Sequence, residues 1–93
     1  MTRTIDVRPL GDADPAHFAV TIREDGSVSH HEVTMSSSAF ARHAGGAPEQ
    51  VIDAAFRFLL DREAKESILA RFDLSTIARY FPEFERTLPD YLK

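Results

Sequence analysis

The chain contains no cysteine, only four glycines and five prolines among 93 residues, and fewer basic than acidic side chains, 11 against 15. Without cysteine there is no disulfide framework, no thiol nucleophile and no thiolate metal site, a composition that suits a reducing compartment. No apolar run approaches the ~18–20 residues needed to span a bilayer. The opening Met1-Thr-Arg-Thr-Ile-Asp also lacks the apolar stretch of a secretion signal, so a cytoplasmic location and no membrane partner are expected. The net charge of −4 argues against a nucleic-acid or acidic-membrane coat, both of which require clustered positive charge. No Gly-rich phosphate loop is present, and Gly45-Gly46 is followed by no Lys-Ser/Thr pair. The serines at 36–38 lie in no Gly-x-Ser-x-Gly elbow. No catalytic residue and no cofactor are therefore expected, and the chain reads as a non-enzyme.

What is present fits one small domain with one core, residues 1–93. Residues 1–15 begin with an Ile5/Val7 alternation and pass into Pro9, Gly11, Asp12, Asp14 and Pro15. That is loop chemistry, and a partly ordered arm is expected. Two β-prone runs over 16–35 flank Asp25-Gly26, the signature of a type I′ hairpin. With that pair at the turn, opposed residues place Phe18 against Val33, Val20 against His31 and Ile22 against Ser29. Met35 continues the same apolar face, whereas His17, Thr21, Arg23, His30, Glu32 and Thr34 take the other.

The 36–82 stretch reads as helical. Ser36-Ser-Ser supplies N-caps for a short helix that Gly45-Gly46 ends. Pro48 opens a central helix over about 48–62, with Val51, Ile52, Ala55, Phe56, Leu59 and Leu60 as its stripe. Phe58 widens that arc beyond one side, and Asp53, Arg57 and Asp61 mark its outer face. The stripe falters over 61–66 and resumes as Ile68, Leu69 and Phe72, so a bend is expected there. Asp73 or Ser75 caps a further short helix, and Pro82 stops it. An aromatic tail, 83–93, ends the chain. The expected fold is α+β: an N-terminal β-hairpin packed on a central helix, with two or three further short helices.

Histidines are the first chemistry-bearing residues to weigh. His17, His30 and Glu32 share the polar face of the hairpin, and together form a weak candidate metal site. No metal is assigned to them, since neither His-x-His nor His-x3-His spacing is present. His31 points to the apolar side, where a hydrogen-bonded histidine at the core edge is expected. His43 fits a dipole partner at a helix C-terminus. Phe58, Tyr80, Phe84 and Tyr91 are candidate interaction residues, because exposed aromatics make low-entropy anchors.

Val33-Thr-Met, Ser36-Ser-Ser-Ala-Phe-Ala-Arg-His and Ala47-Pro-Glu-Gln-Val-Ile-Asp-Ala-Ala-Phe-Arg-Phe-Leu-Leu together resemble the ribbon-helix-helix family over residues 30–63. The resemblance implies an intertwined dimer whose paired strands enter the major groove, or an antitoxin, with His30, Glu32 and Thr34 facing DNA. Residues 66–81 superficially resemble a helix-turn-helix. The phrase from Phe72 to Phe84 looks like the endings of small uncharacterised bacterial proteins.

The leading expectation is a non-enzymatic interaction or regulatory module that self-associates as a dimer, with a further protein partner open. It rests on the wide apolar arc of the central helix and on an exposed hairpin edge able to pair. A ribbon-helix-helix-like DNA binder or antitoxin is the alternative, followed by a small metal-dependent or hydrolytic enzyme. Nucleic acid is not the expected partner, given the acidic balance.

Overall fold

In the computed structural model, which describes residues 3–11, 13–42 and 47–92, the Asp25-Gly26 turn sets the register of the sheet. Asp25 and Gly26 both take positive φ, 50° and 84°, as a type I′ turn demands. The flanking strands β2 (Ala16–Glu24) and β3 (Ser27–Met35) pair antiparallel, with Phe18 opposite Val33, Val20 opposite His31 and Ile22 opposite Ser29. Phe18, Val20, Ile22, Val33 and Met35 are all buried, while the alternate positions line the polar face.

Neither edge of this hairpin is free. The segment expected to be a partly ordered arm supplies strand β1 (Arg3–Pro9), antiparallel to β2, with Ile5 opposite Ile22 and Val7 opposite Val20. On the other side β4 (Arg71–Asp73) lies parallel to β3, which gives a four-stranded sheet in the order β1-β2-β3-β4. An exposed edge on the hairpin is thus corrected: the outer strands of the sheet are β1 and β4.

Between β3 and β4 the chain forms α1 (Ser37–Arg42) and α2 (Pro48–Leu60). Ser36 Oγ accepts the Ala39 N–H at 3.1 Å, so it caps α1, and Asp14 receives both the N–H and the hydroxyl of Ser37. The expected stop at Gly45-Gly46 and the His43 dipole contact lie outside the described residues. At the start of α2, Pro48 stands in the first turn and Gln50 Oε1 accepts the Ala47 N–H at 2.7 Å.

The chain leaves α2 at Asp61, where the stripe was expected to falter, and turns through a 3-10 segment at Lys65–Ser67. The helical run expected through Ile68, Leu69 and Phe72 is corrected, because these residues lead into β4. Backbone bonds from Glu32 N to the Ala70 carbonyl (2.7 Å) and from Leu74 N to the Thr34 carbonyl (2.8 Å) hold the segment extended. The helix-turn-helix resemblance loses its first helix for the same reason. Short helix α3 (Ser75–Tyr80) follows and ends before Pro82, and α4 (Phe84–Tyr91) is formed by the aromatic tail.

Among the described residues the architecture is α+β, a four-stranded sheet with four helices. Nearly every side of α2 is buried, including Val51, Ile52, Ala54, Phe56 and Phe58. The helix runs beside β1 and also packs on α4. Phe56 reaches the sheet, with its ring centroid 5.6 Å from His31 on β3 and 5.8 Å from Phe72 on β4. No helix among the described residues is long and apolar enough to cross a membrane.

Candidate functional site

The wide arc of α2 finds its cover in the tail. Phe58 is fully buried, with the rings of Phe84, Phe81 and Tyr91 edge-on at 5.0, 5.8 and 6.0 Å. The Arg62 guanidinium lies 3.7 Å from the Phe58 ring centroid and donates to Glu83 at 3.2 Å. Burial opposes the Arg62 charge, but contacts with Tyr91 and Glu83 outweigh it and raise its pKa. Glu83 is lowered, first by a hydrogen bond from its own backbone and then by Arg62.

Polar residues on the outer face of α2 complete the clamp on α4. Arg57 pairs with Asp53 at 3.0 Å and donates to the Tyr91 carbonyl at 2.6 Å, while the Tyr91 hydroxyl donates to Asp61. Of the four candidate interaction residues, Phe58 and Phe84 are therefore interior, at 0% and 1% exposure, and Tyr91 is half-buried. Tyr80 alone stands open, at 69%.

Tyr80 marks the mouth of a groove of about 330 Å³ between the end of α2, the 3-10 turn, β4 and α3. Buried Leu59, Ile68 and Ile77 and half-buried Phe72 and Phe81 give it an apolar lining. Leu69 also lines the groove, half exposed to solvent at 51%. The exposure has a backbone cause. His31, buried beside Phe56, donates from Nδ1 to the Leu69 carbonyl at 2.8 Å, and its Nε2 is hydrogen-bonded with the Ser29 hydroxyl at 2.9 Å. A carbonyl only accepts, so Nδ1 carries a proton. That bond fixes the Leu69 backbone at the entry to β4. His31 is the hydrogen-bonded histidine at the core edge that its position in the hairpin implies.

Three polar residues, Glu63, Ser67 and Thr76, interrupt the apolar lining. Glu63, a half-buried residue, is held where α2 ends, its N–H donating to the Leu59 carbonyl at 2.9 Å, and its carboxylate has no hydrogen-bond or ion-pair partner among the described residues. The neighbouring cations are engaged elsewhere. Arg62 turns to Phe58 and Glu83, and Lys65, only 4% exposed, is held by Glu66 with Glu24 at 4.0 Å. Contact with Lys65 is the main cause holding Glu66 below the usual carboxylate range. Composition gave no sign of a buried lysine here, because a lysine in a predominantly charged turn reads as solvated.

On the polar sheet face, His17 and Glu32 meet at 3.3 Å, as their diagonal placement implies. His30 instead faces Thr21, 3.4 Å from its hydroxyl, and Glu32 turns its other oxygen toward Arg71 at 3.7 Å. The weak metal candidates His17, His30 and Glu32 are thus not drawn into one cluster. Among the described residues no three His, Cys, Asp or Glu side chains are grouped to hold an ion. Thr34 donates to Asp73 at 2.6 Å across β3 and β4.

Comparison with family models, curated proteins and solved structures finds no match to this chain.

Proposed function

We propose that the protein is a non-enzymatic interaction module that acts as a dimer, joined by antiparallel pairing of the β1 strands of two copies. In this reading α2 closes the apolar face of the β2–β3 hairpin within each chain, leaving the outer edge of β1 for assembly. The single observation that carries it is the direction of the β1 backbone. Leu10 N donates to the His17 carbonyl at 2.8 Å, and β1 pairs with β2 in continuous register. Alternation along an antiparallel ladder then turns the N–H and C=O groups of Thr4, Asp6 and Arg8 toward β2. The groups of Arg3, Ile5 and Val7 face outward.

Pro9, which has no N–H, falls on the outward set, where a strand tolerates it and where it ends the free row. Ile5 and Val7 are apolar and only half-buried. A seven-residue edge of this kind is a template for another strand. Pairing it with its own copy is isologous and closes without leaving a further edge of the same type. Centred on Val7, such pairing sets Asp6 of each copy opposite Arg8 of the other.

Val7→Pro tests this. It removes an outward N–H that makes no bond within the sheet. Light scattering at high micromolar concentration should show a dimer for the wild type and a monomer for Val7→Pro, with the far-UV spectrum retained. A monomeric wild type would reject the reading. Binding of duplex DNA with a steep salt slope would favour the ribbon-helix-helix alternative instead.

A further inference from the structure

We propose that the groove between α2, β4 and α3 binds a small organic cation, an amine carrying an apolar ring-sized body, with Glu63 reading its charge. This site is separate in kind from the β1 edge and does not depend on dimerisation. A volume of about 330 Å³ falls at the small end of the ~300–1,000 Å³ range of small-molecule sites. The lining is mostly apolar, with few polar groups, which is the pattern such sites share.

The sign of the ligand follows from the charges. Among the described residues, none that lines the groove is basic, and the single carboxylate lining it is unpaired. Arg62 and Lys65, the cations nearest in sequence, have their own partners, so neither is available to neutralise Glu63. Glu63 also sits just past the C-terminal end of the 13-residue α2, where the helix dipole adds negative potential. A carboxylate beside apolar walls gains more from an incoming cation than one surrounded by bulk solvent. Phe72, Phe81 and Tyr80 supply aromatic rings for the apolar body and for the ammonium itself. An anionic ligand would be repelled by Glu63, and a neutral one would leave Glu63 without a partner.

Three indole compounds of nearly one shape separate charge from size: tryptamine, a cation; tryptophol, its neutral alcohol analogue; and indole-3-acetate, an anion. Each is titrated into the full-length ¹⁵N-labelled protein, with amide shifts followed by NMR. Tryptamine should give saturable shifts at Glu63, Ser67, Thr76 and Ile77. Tryptophol should bind about tenfold more weakly, which corresponds to ~1.4 kcal/mol, and indole-3-acetate weaker still. Glu63→Gln should bring tryptamine to the tryptophol affinity while leaving tryptophol unchanged, with a well-dispersed spectrum as the check on folding. Equal affinities for the three compounds, a preference for tryptamine that survives Glu63→Gln, shifts confined to other surfaces, or no saturable shift would each overturn the proposal.

Discussion

Truncating Phe58 to alanine tests most directly whether the chain covers its own central helix. The side chain is fully buried, and three aromatic rings meet it at interplanar angles of 70°, 78° and 81°. Removing a buried phenylalanine costs roughly 3–5 kcal/mol, part of it the cavity left behind. Edge-on aromatic pairs contribute ~0.5–1.5 kcal/mol beyond area, and a guanidinium over a ring ~0.5–1 kcal/mol, which places this site toward the upper end. Against the roughly 5–14 kcal/mol expected for a domain of this length, Phe58→Ala removes a large share of the stability. At about 4–8 °C per kcal/mol, the thermal midpoint should fall by roughly 15–30 °C. Circular dichroism against temperature and urea measures this, run at two protein concentrations. Because the covering rings belong to α4 and the turn before it in the same chain, the loss should not change with concentration. Phe58→Leu keeps most of the apolar volume without the ring, and should cost about 1–2 kcal/mol. A Phe58→Ala loss below ~1 kcal/mol, or one that vanishes on dilution, would refute the reasoning.

Asp73 gives a prediction in pH. Burial raises its pKa, but hydrogen bonds from Thr34 Oγ1 (2.6 Å), Ser75 Oγ (2.7 Å) and Ser75 N (3.0 Å) outweigh that and hold it below the ordinary carboxylate value. A folded pKa below the unfolded ~3.9 means stabilisation that is complete above that pH and fades as pH falls through the folded value. Asp73→Asn should lower stability by about 1 kcal/mol near neutral pH, with urea midpoints of variant and wild type converging as pH falls through the folded value. Parallel curves over the whole range would contradict the assignment. His31→Leu leaves the part-buried Leu69 carbonyl without its donor and should cost about 1–2 kcal/mol, whereas His31→Asn, which restores a donor, should recover ~1 kcal/mol of it. Equal denaturation midpoints for the two variants would show that the bond to Leu69 carries no weight.

The parts of the fold legible in the sequence are those fixed by local chemistry. Asp25-Gly26 dictates the turn, and period-two alternation on both sides leaves one register that keeps Val33 and Met35 inward. The start and stop of α2 were legible for a similar reason, in Pro48 and in the charged run after Leu60. Strand β1 was obscured by its own edge. Ile5 and Val7 alternate correctly, but Pro9 reads as loop unless one knows that its missing donor faces away from β2. Helix α4 was obscured by Pro89, which lies inside it. Yet Phe84, Leu88, Tyr91 and Leu92 fall at the i, i+4, i+7, i+8 spacing of a helical stripe.

Strand β4 failed for a deeper reason, one that also hid the groove. Ile68, Leu69 and Phe72 stand at i, i+1, i+4, which a helix and a twisted extended segment satisfy equally well over so short a span. The decision belongs to residues far away in sequence: His31 on the Leu69 carbonyl, and the Glu32 N–H and Thr34 carbonyl bonded to Ala70 and Leu74. A helix would have buried Leu69 with Ile68. The extended path buries Ile68 at 6% exposure and leaves Leu69 at 51%, opening the apolar space that Tyr80 borders from α3. Hydrophobic pattern alone cannot locate a cavity whose existence depends on a three-residue parallel strand. The chemical half of the site was nevertheless in the sequence: Glu63 is the residue that breaks the α2 stripe. Here an acid at the next position of the apolar stripe falls just past the end of the helix and lines the groove.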